Sequence, residues 1–280
     1  MFTSRRMAIA TAVTVALVMP AAVARAHDPV GHPVQLELGD SWTFGDGASA
    51  PASTGYAGRV FVSNTTELDC SPAVARQARP GCAHLQRVTQ ARPGTSANPG
   101  VTTDSLIDEQ LDGATTLLAA RNGNSNPHDD VELVLVSVGG NDVSRPVLEA
   151  CAEGLDAGCV GVIQERLGQV EANLDRILAG LRAAAGDETP IVILTYDNAI
   201  AHCPLGPVAG SLGTLVLEGA SPLGIVGLNN VIRDTASSHG VKVADTYGRL
   251  GGPQWIGDCL HPNDAGYETI AEIVIDTLES

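Results

Sequence analysis

A serine, an asparagine and an aspartate–histidine pair stand along this chain in an order that suits acyl transfer. Ser41 lies in Leu38-Gly39-Asp40-Ser41-Trp42, directly after the short strand candidate Val34–Leu38. Asn141 lies in Gly139-Gly140-Asn141-Asp142, after the apolar run Leu133–Val138. Asp258 and His261 share the late segment Asp258-Cys259-Leu260-His261-Pro262. A serine hydroxyl is a poor nucleophile until a base takes its proton. His261 fits as that base and then as the acid that protonates the leaving alcohol. Asp258 fits as acceptor of the imidazole Nδ1–H, which fixes the tautomer and stabilises the imidazolium. An amide side chain such as Asn141 fits as a donor to the oxyanion of a tetrahedral intermediate.

Each residue also has a plainer reading. Ser41 could cap a helix, Asn141 could make an Asx turn, Asp258 could be a solvated loop acid and His261 a surface histidine. Their joint occurrence in this order favours the chemical reading. Asp40 is expected to cap or bond loop backbone, and Asp142 to be structural. Competing motifs are missing from the sequence: it contains no G-x-S-x-G, no G-x-x-x-x-G-K-[ST] and no H-E-x-x-H. Nothing in it calls for a metal or an organic cofactor.

The elements that must position these residues alternate. Strands are expected at Val34–Leu38, Leu85–Gln90, Leu133–Val138, Ile191–Thr195 and Val241–Ala244. Helices are expected at Tyr56–Glu67, Thr102–Leu118, Val162–Ala184, Leu223–Ser238 and Asn263–Leu278. The stretch after Gly139 reads as loop, with Cys151 and Cys159 in loop-like surroundings. The Gly-, Pro- and Ala-rich segment Asp197–Pro222 also reads as loop; it either shapes or covers an acyl pocket, or merely connects. Alternation of this kind implies a parallel sheet with helices on both faces. Ligands of such sheets sit beyond the carboxyl ends of the strands. Ser41, Gly100, Asn141, Asp258 and His261 all fall after strands, at that edge.

The first residues are read as an export signal. Arg5 and Arg6 precede an apolar, small-residue stretch, and Ala24-Arg25-Ala26 fits a cleavage site. Residues 1–26 are therefore expected to be removed, leaving 27–280 as one soluble, extracellular domain and, most simply, a monomer. No later segment is apolar and long enough to span a bilayer. The 280-residue chain has 16 Lys and Arg against 32 Asp and Glu, a formal net charge of −16. Such a surface disfavours nucleic acid and anionic membranes as partners, because it has few cations to displace their counterions. Six cysteines in an exported chain read as three disulfides. Spacing alone does not fix the pairing. Cys70–Cys82 and Cys151–Cys159 are the shortest closures, and they leave Cys203–Cys259.

Gly39-Asp40-Ser41, Gly100, Gly139-x-Asn141-Asp142 and Asp258-x-x-His261 together resemble the four blocks of the SGNH (GDSL) hydrolases. The resemblance runs from about Leu36 to the last helix and is greatest to secreted bacterial esterases and lipases with three disulfides. It implies a three-layer α/β/α sandwich with a five-stranded parallel, flavodoxin-like sheet. It further implies an acyl-enzyme on Ser41, with His261 and Asp258 completing the triad. The oxyanion hole would be formed by the Ser41 and Gly100 N–H groups and the Asn141 amide; Gly94 competes with Gly100 for that place. After Ser41 the family commonly carries Leu or a small residue, whereas Trp42 stands here, which bears on the shape of the nearby pocket. The implied activity is hydrolysis of a small-molecule or lipid carboxylic ester. O-acetyl ester cleavage on polysaccharide, acyl transfer to an alcohol, and a silent binding module on the same fold are the alternatives.

Overall fold

The computed structural model describes residues 32–67, 86–94, 100–202, 207–256 and 258–280. Cys70, Cys82 and Cys203, and the leader proposed at 1–26, lie outside them. The strands are β1 (Val34–Gly39), β2 (Gln86–Thr89), β3 (Val131–Ser137), β4 (Ile191–Leu194) and β5 (Lys242–Ala244). They form one sheet in the order β2-β1-β3-β4-β5, and each neighbouring pair is parallel. This is the flavodoxin-like order, whose topological switch falls between β1 and β3.

The strand sequences explain their places. The VELVLVS run of β3 is buried at all but its second residue, and the IVIL run of β4 is buried throughout, as expected of strands covered on both faces. β1 alternates Val34, Leu36 and Leu38 with Gln35 and Glu37, yet all are buried. Its polar face is partnered in part: Gln35 Nε2 donates to Ala57 O at 2.8 Å and to Glu37 Oε1 at 2.8 Å, and Arg87 of β2 pairs with Glu37, while Gln35 Oε1 and Glu37 Oε2 are buried without a hydrogen bond among the described residues.

The helices are α1 (Ser41–Phe44), α2 (Pro51–Thr54), α3 (Tyr56–Glu67), α4 (Thr103–Leu106), α5 (Asp112–Asn122), α6 (Gly140–Ala150), α7 (Ala157–Ala185), α8 (Pro207–Glu218), α9 (Leu228–Ser238) and α10 (Asp264–Glu279). α5, α7 and α9 pack side by side, while α3 and α10 pack on each other. α7 begins earlier than its apolar spacing implies, because the Asp156 side chain caps it by accepting from Cys159 N at 2.8 Å. α9 begins later than expected, because Gly224 and Gly227, at φ 65° and 90°, turn the chain ahead of it. α4 and α5 are joined by a π-helical turn, Ile107–Leu111. That turn aims the buried Gln110 amide at Gly39, which it bonds at both N (2.8 Å) and O (3.1 Å), as a neighbouring strand would.

Two expectations of loop are corrected. α6 starts at Gly140, so Asn141 lies in a helix's first turn, Cys151 is its C-cap and Cys159 lies inside α7. The segment expected as a loop over Asp197–Pro222 holds a three-turn helix, α8. Its glycines answer to packing. A Cβ on Gly210 would stand 3.1 Å from Ala201 Cα, and one on Gly213 would stand 2.4 Å from Asn198 Oδ1. Cys151 and Cys159 form a disulfide. Cys259 is also disulfide-bonded; the expected partner Cys203 and the pair Cys70–Cys82 fall outside the described residues.

Candidate active site

β1 ends at Gly39, whose φ of 118° and whose approach to Ser137 exclude a side chain: a Cβ there would lie 1.9 Å from Ser137 O. The chain then turns into α1, with Asp40 as N-cap and Ser41 as first helical residue. Four residues cannot hold a helix on their own. α1 is fixed instead by its side chains. The buried Asp40 carboxylate accepts from Trp42 N (3.0 Å), Ser137 Oγ (2.6 Å) and Tyr196 Oη (2.5 Å). Thr43 N donates to Ser137 Oγ at 3.1 Å, and Thr43 Oγ1 lies 2.7 Å from Ser137 Oγ and 2.8 Å from Tyr56 Oη. Because the Ser137 proton goes to Asp40, Thr43 must donate to Ser137, and Tyr56 to Thr43, making one directed chain of donors. Burial pushes the Asp40 pKa up, against the pull of these donors.

His261 comes from the turn before α10. Its Nε2 lies 2.9 Å from Ser41 Oγ and its Nδ1 lies 2.5 Å from Asp258 Oδ2. Asp258 Oδ1 also accepts from Leu260 N (2.9 Å) and His261 N (3.1 Å), so one carboxylate shapes the whole turn. Partial burial raises the Asp258 pKa, but the His261 ring and the two backbone donors outweigh it and hold the carboxyl below its usual 3.8. It stays ionised, as an acceptor must.

Asn141 lies beyond β3, on the far side of the topological switch from Ser41. Its Nδ2 donates one hydrogen to Val101 O at 3.0 Å, leaving a second available. Gly100 packs on that amide so closely that a Cβ would stand 2.5 Å from Asn141 Nδ2. The competing Gly94 has its N–H engaged by Asp46 Oδ2 at 2.9 Å. Asp142 clamps the two segments together, accepting from Thr103 N at 3.0 Å and from Thr103 Oγ1 at 2.5 Å. Burial pushes its carboxyl up to about 6, with the Thr103 bonds opposing.

Ser41, Asn141 and His261 line one cleft of about 540 Å³, whose walls are Val143, Val147 and Leu148 of α6 and Leu212, Val216 and Leu217 of α8. The size is that of a small-molecule site. Sequence reading thus placed the chemical residues together and offered Asp197–Pro222 as a pocket-shaping segment, but missed the helical form of α8, the α6 wall, and Ser137, Tyr196 and Gln110, which hold the segment that carries Ser41. No motif marks these three; their value comes only from contacts distant in sequence.

Residues 38–269 match the GDSL-like lipase/acylhydrolase family. No curated protein matches the chain. Among solved structures, a lipase from a goat rumen metagenome superposes with a TM-score of 0.59 at 18% identity, covering 88% of this chain and 97% of that one. The extracellular lipase of Streptomyces rimosus gives 0.54 at 18% identity, covering 88% of this chain and 99% of its own. Phospholipase A1 of Streptomyces albidoflavus gives 0.52 at 20% identity, covering 88% and 100%. These three share the fold. The class defined is that of ester-hydrolysing serine hydrolases. The chain belongs to the GDSL-like lipase/acylhydrolase family, the SGNH hydrolases.

Proposed function

We propose that this enzyme is an exported esterase or lipase that cleaves carboxylic esters of apolar acyl chains through an acyl-enzyme on Ser41. The observation that carries the reading is the line Asp258–His261–Ser41, with spacings of 2.5 and 2.9 Å, opening onto an apolar cleft. His261 Nε2 takes the Ser41 proton as Oγ attacks the ester carbonyl, and Asp258 holds the ring and offsets its charge. As first residue of α1, Ser41 has an N–H with no intrahelical acceptor. That N–H, the Gly100 N–H and the free hydrogen of the Asn141 amide are assigned to the oxyanion. Collapse of the intermediate passes the proton from His261 to the leaving alcohol. The valine and leucine walls of α6 and α8 favour lipid-like acyl groups over acetyl, since each buried methylene adds about 0.8 kcal/mol. Export is supported by the leader pattern in residues 1–26 and by the Cys151–Cys159 disulfide, which suits an oxidising compartment. Residues 27–280 then act as one catalytic domain.

The test pairs wild type with Ser41→Ala on p-nitrophenyl esters from acetyl to palmitoyl, together with labelling by a fluorophosphonate probe. Wild type turns over and is labelled at Ser41; the alanine variant loses both. Retention of more than about 1% of the rate by the alanine variant refutes the nucleophile, given the usual size of such losses. A preference for acetyl over octanoyl esters refutes the acyl-chain assignment.

A further inference from the structure

We propose that Trp42 is a positioning residue that keeps His261 in place over the acyl-enzyme, and so acts chiefly in deacylation. The proposal rests on the reading of Ser41 as nucleophile and His261 as base. Among the described residues, two hydrogen bonds join α1 to the histidine turn. One is His261 Nε2 to Ser41 Oγ, at 2.9 Å. The other runs from the Trp42 indole Nε1–H to the carbonyl oxygen of Leu260, at 3.1 Å. Leu260 is the residue immediately before His261.

The reaction removes the first of these. Acylation makes Ser41 Oγ an ester oxygen, and its proton has left with the alcohol. In the second half, water must attack the acyl carbon while giving its proton to His261 Nε2. The carbon–Oγ bond then breaks, Ser41 Oγ regains that proton from His261, and the carboxylic acid departs. Throughout the acyl-enzyme stage the base has no donor on the nucleophile to hold it.

Asp258 cannot take over this task. Its bonds to the His261 ring and to the Leu260 and His261 N–H groups all lie within the turn 258–261. They set the ring relative to the turn, not the turn relative to Ser41. On its other side, the turn is tied to the preceding loop by Ile256 N donating to His261 O at 3.0 Å and by the Trp255–Pro262 bridge. Tyr267 Oη, on Asp46 O at 2.6 Å, secures α10 beyond the turn. The turn is also held covalently through the Cys259 disulfide. Among the described residues, the indole bond is the hydrogen bond that spans directly from α1 to the turn and survives acylation.

The indole is well placed for a fixed strut. Trp42 is 5% exposed. Its ring meets Tyr196 edge-on at 5.1 Å and Trp255 at 5.9 Å between centroids. Tyr196 is in turn held by Asp40, the residue on the other side of Ser41. The two neighbours of the nucleophile therefore anchor it to opposite walls: Asp40 to the sheet, Trp42 to the histidine turn.

The test is stopped-flow hydrolysis of a p-nitrophenyl ester by wild type and Trp42→Phe, which keeps an aromatic ring and lacks the N–H. Replacing Trp42 with β-(3-benzothienyl)alanine keeps the indole shape without the donor and serves where Phe disturbs folding; Tm is measured for each. The expected result is an acylation burst within about twofold of wild type and a deacylation rate lowered about 3- to 10-fold, the size of one hydrogen bond. Deacylation within about 1.5-fold of wild type overturns the proposal, as does a proportional fall of both rates. Ser41→Ala is run alongside: turnover by that variant would undo the underlying reading instead.

Discussion

Adding one methyl group at Gly100 should disable the enzyme, whereas adding one at Gly94 should not. Gly100 sits at φ 92°, a left-handed conformation that costs an alanine about 1–2 kcal/mol. Its new Cβ would stand 2.5 Å from Nδ2, 2.8 Å from Cγ and 2.9 Å from Oδ1 of Asn141, so the amide must move. Moving it breaks the bond to Val101 O, worth about 1 kcal/mol. Gly100→Ala is therefore expected to lose about 2–3 kcal/mol of stability. The same displacement removes the proposed oxyanion donor, a loss expected to lower kcat by about 10²–10³. Gly94 is not among the positive-φ glycines, and among the described residues a Cβ there meets nothing closer than 4.0 Å. Gly94→Ala keeps its N–H on Asp46 and should retain kcat within about threefold, the range of an ordinary surface change. The assay is kcat on a soluble short-chain ester, normalised by fluorophosphonate titration of competent sites, with calorimetry for stability. A Gly100→Ala enzyme within about tenfold of wild-type kcat, or a Gly94→Ala enzyme equally crippled, refutes the reasoning.

Three more outcomes follow from the same geometry. The Asp142 carboxyl is raised by burial from 3.8 to about 6, so its ionisation penalises the fold increasingly as pH rises between those values and adds nothing below them. Asp142→Asn, whose Oδ1 can still accept from Thr103, should raise Tm above that of wild type at pH 7 by about 5 °C and match it near pH 4; a variant less stable at both fails the test. Leu212→Trp should fill the cleft between α6 and α8. With about four methylenes excluded at about 0.8 kcal/mol each, kcat/KM for a long-chain ester falls about 100-fold while the acetyl ester stays within about threefold. Replacing both Cys151 and Cys159 by Ser opens a loop of sequence separation 8. Chemical denaturation should then show a loss of about 2.5 kcal/mol, with kcat on the acetyl ester retained.

The parts legible in the sequence are those whose pattern is local. Leu133–Val138 reads as a buried strand because unbroken burial calls for an unbroken apolar run. Ser41, Asn141, Asp258 and His261 read as a set because each follows a strand in a parallel sheet, and such strands end at one edge. The parts that escaped are set by contacts remote along the chain. α6 opens with Gly140, Asn141 and Asp142 and carries Pro146 within it, residues that argue for a loop. Its stripe of Val143 and Val147, buried against the body, outweighs them. α8 contains Gly210 and Gly213 because Ala201 and Asn198 leave no room for a Cβ, so what looks like weak helix propensity is a record of close packing. Cys151–Cys159 was legible from its short spacing; Cys259 is disulfide-bonded as expected, while Cys70, Cys82 and Cys203 lie outside the described residues.

The four-residue helix that presents Ser41 has a further consequence for how the enzyme comes into being. It borrows its rigidity from Ser137 at the end of β3, from Tyr196 just after β4 and from Leu260 near the end of the sequence. A nascent or refolding chain can complete much of its sheet and still lack a competent nucleophile until those last tertiary contacts close. Regain of hydrolysis should lag behind regain of helical and strand signal, making turnover a late reporter of maturation. An enzyme built this way stays silent while it is incomplete.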